Sequence, residues 1–273
     1  KQETPIHMAQ LLAIIAILLY LFSTYRQLSV IYTDNTVSRS GVLATGAIAT
    51  VLHGITWFMP FFDDGALVFS FFSVGSLIAL VISALIIISA IKKPLENLFL
   101  GIFPMAALLL LLNLLIPASS NGGAQWSPGV TSHIVLSIIA YSVLTIAAFQ
   151  AVMLLVQNHQ LKHKHLSGIM RILPPLQTMD RLLFEMLGVG TVLLSLAIAS
   201  GFIFLENIFA QHLLHKTVFT LIAWGILSFL IFAHWRFGWR GNVASKWTLT
   251  GTGFLILAYF GSKLVLEIIL HKV

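Results

Sequence analysis

The chain has 273 residues, of which 58% are hydrophobic and only 9% are charged, and its formal net charge at pH 7 is +6. Soluble domains carry roughly 25% charged residues, and so few charges cannot cover a globular surface. These values exclude a soluble enzyme, a coiled coil and a disordered chain, and they predict an all-α, polytopic membrane protein. Unbroken apolar runs such as LLAIIAILLYLF exclude a transmembrane β-barrel, whose strands would alternate apolar and polar residues.

Eight apolar segments of membrane-spanning length follow one another along the chain, separated by turn residues and short basic gaps. Pro60 and the Asp63-Asp64-Gly65 turn are predicted to end the second segment, and the turn-rich PASSNGGAQWSP stretch (117–128) separates the fourth from the fifth. The predicted segments cover 8–25, 41–60, 67–91, 95–116, 129–157, 181–205, 217–238 and 247–270.

The N-terminus has two interpretations. His7-Met8 is what an NdeI cloning site encodes, so residues 1–7 are predicted to be a cloning remnant and 8–273 a single transmembrane domain of eight helices. A cleaved signal peptide at 8–25 is the alternative, and the scarcity of basic residues before the apolar run favours a retained helix.

The longest gap, 158–180, mixes apolar residues with lysines and histidines. It is predicted either to lie on the inner membrane surface as an amphipathic piece or to form a solvated basic loop, with equal weight. Its histidines, His159, His163 and His165, could bind a metal, although such clusters in exposed loops are more often incidental.

The distribution of basic residues predicts the orientation of the helices. Eleven of the fifteen Lys and Arg residues fall in alternate gaps, which the positive-inside rule assigns to the cytoplasm. Both termini are therefore predicted to lie outside. The eleven are Arg26, Arg39, Lys92, Lys93, Lys162, Lys164, Arg171, Arg181, Arg236, Arg240 and Lys246.

Several kinds of chemistry are absent from the sequence. The chain has no cysteine, which excludes disulfides, iron–sulfur clusters and covalent c-type haem attachment. It has no Ser/His/Asp set, phosphate-binding glycine loop or HExxH motif, so no hydrolytic or redox catalytic role is predicted. The basic residues lie in gaps between helices, which argues against nucleic acid as a partner.

Histidines within the apolar segments are the informative polar groups, because polar side chains in hydrocarbon need a partner or a function. At a rise of about 1.5 Å per residue, His53 lies about 10 Å and His133 about 7–8 Å below the predicted outer edge. His234 lies about 27 Å from Lys216, near the inner surface. His53 and His133 could therefore face each other, whereas His234 could share a ligand with His133 only if helices tilt or break.

Helical phase predicts which way these histidines point. His133, Ser137, Tyr141 and Thr145 recur every four residues and form one polar stripe on the fifth segment. Gly46, Thr50, His53 and Trp57 share a face of the second segment, where small residues would let a planar ligand or a neighbouring helix approach. Two imidazoles at one depth suit the axial ligands of a haem, and interhelical hydrogen bonding by each histidine is the alternative.

Four stretches resemble a known family: VLHGITW (51–57), PGVTSHIVLSIIAYSVL (128–144), HWRFGWRG (234–241) and LAYFGSKLVLE (257–267). They are similar to the cytochrome c assembly family of integral membrane proteins, the CcsA/HemX-like group, and closest to its YpjD-type inner-membrane members. The likeness extends over nearly the whole chain from Met8.

The resemblance implies an eight-helix bundle in the bacterial inner membrane and the handling of non-covalent haem b. It implies that His133 is an outer-side haem ligand and that His234 ligates a haem held deeper in the membrane. His53 matches a second-helix histidine of the HemX-like members. His271 lies close to a second outer histidine of the assembly proteins, although its spacing from Gly261 differs slightly.

One departure from the family pattern concerns the outer surface. The assembly proteins carry a tryptophan-rich WWD segment before the helix with the deeper histidine, whereas this chain reads ENIFAQHLLHKTVF (206–219) there. The resemblance therefore implies haem binding, while the missing segment puts cytochrome c synthesis by this chain in doubt.

The sequence thus predicts a multi-pass haem-binding protein of haem handling or cytochrome c maturation. Predicted metal ligands are His53, His133 and His234, with His271, Tyr141 and Trp57 also placed at the cofactor. Arg236 and Arg240 could meet haem propionates, or serve as topology determinants. Predicted partners are the bilayer, haem, and apocytochrome c or another maturation or haem-synthesis protein. A cofactor-free permease for a small metabolite and a regulatory scaffold for a haem-synthesis enzyme are the alternatives.

Overall fold

A computed structural model describes residues 3–32, 38–64, 70–116, 127–164, 168–205 and 214–261. Within these ranges the chain is helical and contains no β-strand, which confirms the predicted all-α class. The α-helices are α1 (Glu3–Tyr32), α2 (Arg39–Asp64), α3 (Phe71–Lys92), α4 (Phe99–Leu115), α5 (Pro128–Lys162), α6 (Leu176–Phe204), α7 (Leu214–Phe237) and α8 (Asn242–Ile256). Short 3-10 turns occupy Glu96–Leu98 and Gly168–Arg171, and a π-helical turn at Leu257–Gly261 continues α8.

Seven of the described helices, α1 to α7, are long and apolar enough to cross a bilayer. The chain is therefore a multi-pass membrane protein, as predicted. The described part of α8 and its π-helical turn end at Gly261, and the remainder of the predicted eighth segment lies outside the described residues. Eight spans and the outward placement of both termini stay predictions.

Helix boundaries differ from the sequence prediction where a helix runs past a predicted breaker. Pro60 lies inside α2 and does not end it, because a proline in a membrane helix is tolerated when neighbouring groups satisfy the freed carbonyl. His53 consequently lies about 16 Å from the helix end at Asp64 rather than about 10 Å. The 158–180 gap is also shorter: its first residues belong to α5 and its last to α6.

Two serines cap the N-terminal ends of helices. The Ser70 hydroxyl accepts a hydrogen bond from the Ser73 amide at the start of α3. Ser127 does the same for Val130 at the start of α5, where Pro128 follows as the first helical residue. Such caps satisfy amides that have no partner within the helix and contribute about 1 kcal/mol each. The cap at Ser127 sets where the His133 end of α5 begins.

The described residues group into two compact units. The first contains α1 to α4 and the 3-10 turn at Gly168–Arg171, which packs against α1. The described part of the basic gap is thus a 3-10 turn, and its place on the inner membrane surface stays a prediction. The prediction of a single domain from residue 8, and the cloning origin of residues 1–7, stay predictions.

Aromatic residues and one arginine organise the first unit. Phe99 and Phe103 stack on each other in α4, and Tyr20 of α1 packs against Phe103. At the start of α2, the Arg39 guanidinium pairs with Glu96 and donates to the Ala90 carbonyl at the end of α3. This side chain ties α2 to the α3–α4 connection, so it has a structural role besides its contribution to topology.

The second unit contains α5 to α8, with α6 packed along α5, and α8 packed against both α5 and α7. Small residues permit the close approaches, as they do in membrane helix pairs. A Cβ added at Gly190 of α6 would lie 2.6 Å from the Leu144 side chain of α5. A Cβ at Gly251 of α8 would lie 2.7 Å from Leu227 of α7.

The predicted orientation can be tested with reporter fusions. A periplasm-active reporter fused after Val273 should be active, and the same reporter inserted after Lys164 should be silent, because the basic residues cluster on the side of the α5–α6 connection. Enzyme activity per unit of fusion protein is the measurement, with inverse activities from a cytoplasm-active reporter as the control. Periplasmic activity after Lys164 would contradict the orientation.

Candidate functional site

His53 lies at the centre of a buried hydrogen-bonded chain within the first unit. Its side chain is 0% exposed, and its Nε2 atom lies 2.9 Å from the Ser76 hydroxyl of α3. Its Nδ1 atom lies 3.4 Å from the Tyr20 hydroxyl of α1, which donates to Thr50. Thr50 in turn donates to the Gly46 carbonyl. Both imidazole nitrogens of His53 are therefore engaged.

The direction of this chain follows from its last acceptor. The Gly46 carbonyl oxygen can only accept, so the Thr50 hydroxyl donates to it and the Tyr20 hydroxyl donates to Thr50. The Tyr20 hydrogen is thereby used, and the Tyr20 oxygen accepts a hydrogen bond from Nδ1–H of His53. The Nε2 lone pair of His53 then accepts from the Ser76 hydroxyl. To bind a metal through Nε2, His53 would have to release Ser76.

The predicted inward face of α2 is confirmed. Gly46, Thr50, His53 and Trp57 are all buried, and the Trp57 indole donates to the Ser73 carbonyl of α3 at 3.0 Å. A Cβ on Gly46 would lie 2.6 Å from the Phe103 ring. Gly46 therefore admits a neighbouring helix, which was one of the two predicted uses of a small residue here.

His133 contacts α6 near the N-terminal end of α5. Its Nδ1 atom lies 2.9 Å from the Ala197 carbonyl oxygen and 3.1 Å from the Ser200 hydroxyl. The ring is half-buried and lies against Gly201, where an added Cβ would be 3.0 Å from Cε1 of His133. The backbone of α6 thus holds one edge of the imidazole in place.

The Ala197 contact determines the tautomer of His133. Because a carbonyl only accepts, and the Ser200 hydroxyl donates to that same carbonyl, the hydrogen of the neutral imidazole resides on Nδ1. The Nε2 atom then carries the lone pair. Metal-ligating histidines have this arrangement: one ring nitrogen donates to a carbonyl, and the lone pair of the other is available to a metal ion.

The rest of the polar stripe on α5 is half-buried and mostly satisfied within its own helix. The Ser137 hydroxyl donates to the His133 carbonyl, and the Thr145 hydroxyl donates to the Tyr141 carbonyl. The Tyr141 ring lies 6.3 Å from that of Tyr259, centroid to centroid. Tyr141 therefore packs at the contact with the π-helical turn, and its predicted place at a cofactor stays a prediction.

His234 is positioned by the loop that follows α7. Its Nδ1 atom lies 2.6 Å from the Trp239 carbonyl oxygen, so Nδ1 again carries the hydrogen and Nε2 the lone pair. One face of the ring stacks on Phe184 of α6 at 3.5 Å between centroids and 19° between planes. His234 is thus oriented by an edge contact and by a face contact.

His133 and His234 occupy different levels of the second unit. His133 contacts α6 at Ala197 and Ser200, whereas His234 contacts it at Phe184. These α6 positions are between about 20 and 24 Å apart along the helix axis. Metal–nitrogen bonds are about 2 Å long, so the two imidazoles cannot be axial ligands of one metal.

The HWRFGWRG stretch covers the last turn of α7 and the α7–α8 loop at 238–241, and its two glycines have a conformational reason. Gly238 and Gly241 adopt φ of +68° and +61°, which side chains other than glycine rarely adopt. The turn at Gly238 directs the Trp239 carbonyl back to His234. Gly241 precedes α8, and its amide donates to Asp180 of α6 at 2.8 Å.

The two arginines of the HWRFGWRG stretch, Arg236 at the end of α7 and Arg240 in the loop, are exposed. The Arg236 guanidinium lies 5.8 Å from the centroid of the Phe237 ring. Trp235 is 80% exposed, as expected of a side chain in the interfacial region of a bilayer. Contact of these arginines with haem propionates stays a prediction.

The structure describes the candidate ligands near the C-terminus and in the basic gap only in part. His271 and His165 lie outside the described residues. The His159 and His163 rings lie 4.4 Å apart at the exposed end of α5. Among the residues that the structure describes, no group of three or more His, Cys, Asp or Glu side chains could hold a metal ion.

Sequence reasoning missed the groups that orient the histidines. The Ala197 and Trp239 carbonyls have no signature in a sequence, because any residue supplies a carbonyl. Phe184 and Gly201 could have been found only by knowing which helices pack together.

Comparison with known proteins places the chain in a family. The profile of the family described as "Cytochrome C assembly protein" matches residues 42–270. "Inner membrane protein YpjD" of Escherichia coli (strain K12) is 32% identical over 234 residues, which are 85% of this chain and 88% of that protein. "Protein HemX" of Brevibacillus brevis is 23% identical over 132 residues, or 48% of each chain. No solved structure matches.

An Azospirillum brasilense protein described as an "Uncharacterized 28.8 kDa protein in nifR3-like 5'region" is also similar, with 32% identity over 55% of this chain and 56% of its own length. The helices and these relatives define a multi-pass helical membrane protein. The chain belongs to the cytochrome c assembly protein family, which confirms the resemblance found in the sequence.

Proposed function

We propose that this protein resides in the bacterial inner membrane, holds haem b non-covalently through histidine, and delivers it during cytochrome c maturation. The observation that carries the proposal is the matching state of His133 and His234. Each donates from Nδ1 to a main-chain carbonyl and leaves the Nε2 lone pair free for iron. Membership of the cytochrome c assembly family and similarity to HemX support the choice of haem.

Haem supplies the iron that these imidazoles would ligate and is the cargo of the protein. His133 and His234 lie at separate levels of α6, so the proposal has two sites, one near each end of the second unit. Ala197 and Trp239 keep the hydrogen on Nδ1, which also makes Nε2 a better donor to iron. Gly201 leaves room for the His133 ring to pack against α6, and Phe184 covers one face of the His234 ring.

His53 enters the proposal differently. Its imidazole lies in the first unit with both nitrogens bonded to hydroxyl groups. If His53 ligates iron, it does so after Ser76 rotates away. Trp57, which is bonded to Ser73, would then line that site.

The visible spectrum of the purified protein tests the proposal. Full-length protein from haem-replete cells should show a Soret band and, after reduction, sharp α and β bands. Detergent extract of cells lacking the protein is the control. If the protein is well expressed in the membrane of haem-replete cells and is colourless after purification, haem binding is refuted and the cofactor-free permease is favoured.

A second expected result concerns cytochrome c synthesis. Because the tryptophan-rich outer segment of the assembly proteins is missing, this chain alone should not restore haem-stained cytochrome c in a strain without a maturation system. Haem staining of periplasmic protein after electrophoresis is the measurement, with a complete synthetase as the positive control. Recovery of cytochrome c to even a few per cent of that control would show that this outer segment is dispensable.

A further inference from the structure

A groove lies between the C-terminal end of α5 and the start of α8, and neither His133 nor His234 lines it. Its volume is about 560 Å³. Apolar side chains, Leu155 and Val156, line one part. The other six lining side chains are polar or basic, and they include His159, Lys162, Asn242 and Lys246. The groove therefore combines an apolar floor with two lysines.

The lysines are available for a ligand. Both Lys162 and Lys246 are exposed, and neither makes an ion pair within the part of the chain that the structure describes. The neighbouring carboxylate of Asp180 accepts from the Gly241 amide and is not among the groove-lining side chains. The charge of the described lining is positive as a result.

The position of the groove along α5 matches the polar surface of a bilayer. His159 lies 31 residues after Pro128, which is about 46 Å along the helix. A bilayer with its headgroups is about 40–45 Å thick, so a slightly tilted α5 brings the groove to headgroup level. Trp239 and Trp247 lie beside it in the chain and pack against each other, as interfacial tryptophans do.

We propose that this groove binds an anionic phospholipid. The phosphate would lie between Lys162 and Lys246, His159 and Asn242 would donate hydrogen bonds, and an acyl chain would follow Leu155 and Val156. Basic pockets between membrane helices on the cytoplasmic side bind anionic headgroups for the same reason, since a phosphate and two ammonium groups carry opposite charges and attract each other. The predicted orientation puts the groove in the cytoplasmic leaflet.

Native mass spectrometry of the full chain tests this site. Protein in a non-ionic detergent is offered an equimolar mixture of palmitoyl-oleoyl phosphatidylglycerol and phosphatidylcholine, with and without inorganic phosphate. The wild type should retain phosphatidylglycerol in preference. The double variant Lys162→Gln/Lys246→Gln should bind it about thirtyfold more weakly, since each lysine near a membrane surface is worth about one kcal/mol toward an anionic lipid.

A matched control removes the same charge elsewhere. Lys92→Gln/Lys93→Gln lies on the same predicted side, in the first unit, and should retain phosphatidylglycerol as the wild type does. Equal loss in both double variants, or equal retention of the two lipids by the wild type, would overturn the proposal. Displacement of the lipid by millimolar inorganic phosphate would also overturn it, because it would make free phosphate the ligand.

Discussion

Replacing His133 by alanine is expected to weaken haem binding about 10- to 100-fold. Removing a group that is hydrogen-bonded to a metal ligand already lowers metal affinity by about this factor, and removing the ligand itself lowers it at least as much. Where a second axial imidazole remains on the other side of the iron, as the sequence predicts for His53, the variant should leave a five-coordinate iron with a broadened and shifted Soret band. Added imidazole should restore the six-coordinate spectrum, because it can occupy the vacated position. The measurements are the haem content per protein and the visible spectrum.

The structure offers a matched control for His133 on the same helix. Ser137→Ala removes a hydroxyl from the same polar stripe, but that hydroxyl bonds the His133 carbonyl and not the imidazole. Its haem content and spectrum should match the wild type. A His133→Ala protein with a wild-type spectrum and full haem content would mean that the stripe serves packing, and the permease alternative would gain.

Replacing His234 by alanine is the second change with a large expected effect. Haem affinity at the His234 site should fall about tenfold, without the five-coordinate spectrum expected of His133→Ala, because the two imidazoles contact α6 between about 20 and 24 Å apart. Haem content and spectrum after growth with limiting haem are the measurements. A spectral change identical to that of His133→Ala would contradict two separate sites.

Two further variants separate ligation by His234 from its surroundings. Phe184→Leu keeps a bulky apolar side chain but removes the aromatic face on which His234 stacks, so it should lower loading less than His234→Ala does. Replacing His159 and His163 by alanine removes two exposed imidazoles from the same predicted side. That double variant should load haem as the wild type does.

Several features of this protein could be predicted from the sequence because they depend on local composition. The apolar membrane-spanning segments, the membrane class and the family required only hydrophobic runs, basic gaps and short motifs. The buried face of α2, with Thr50, His53 and Trp57, followed from helical periodicity, because residues three and four apart share one side of a helix.

Other features could not be predicted because they depend on which chain segments meet. Pro60 was expected to end a helix, yet α2 continues to Asp64, since tertiary packing can override a local breaker. The engagement of both His53 nitrogens required Tyr20 and Ser76, which lie on two other helices.

The sequence by itself determined which imidazoles lie within the apolar segments and, for His53 and His133, which residues share their face of the helix. Only the tertiary structure decided their chemical state. For His133 and His234, a carbonyl from elsewhere in the fold accepts from Nδ1 and leaves Nε2 free, whereas hydroxyl groups engage both nitrogens of His53. Periodicity along one helix orients a side chain, but its hydrogen-bond partners come from neighbouring helices and loops, and their positions are determined by packing.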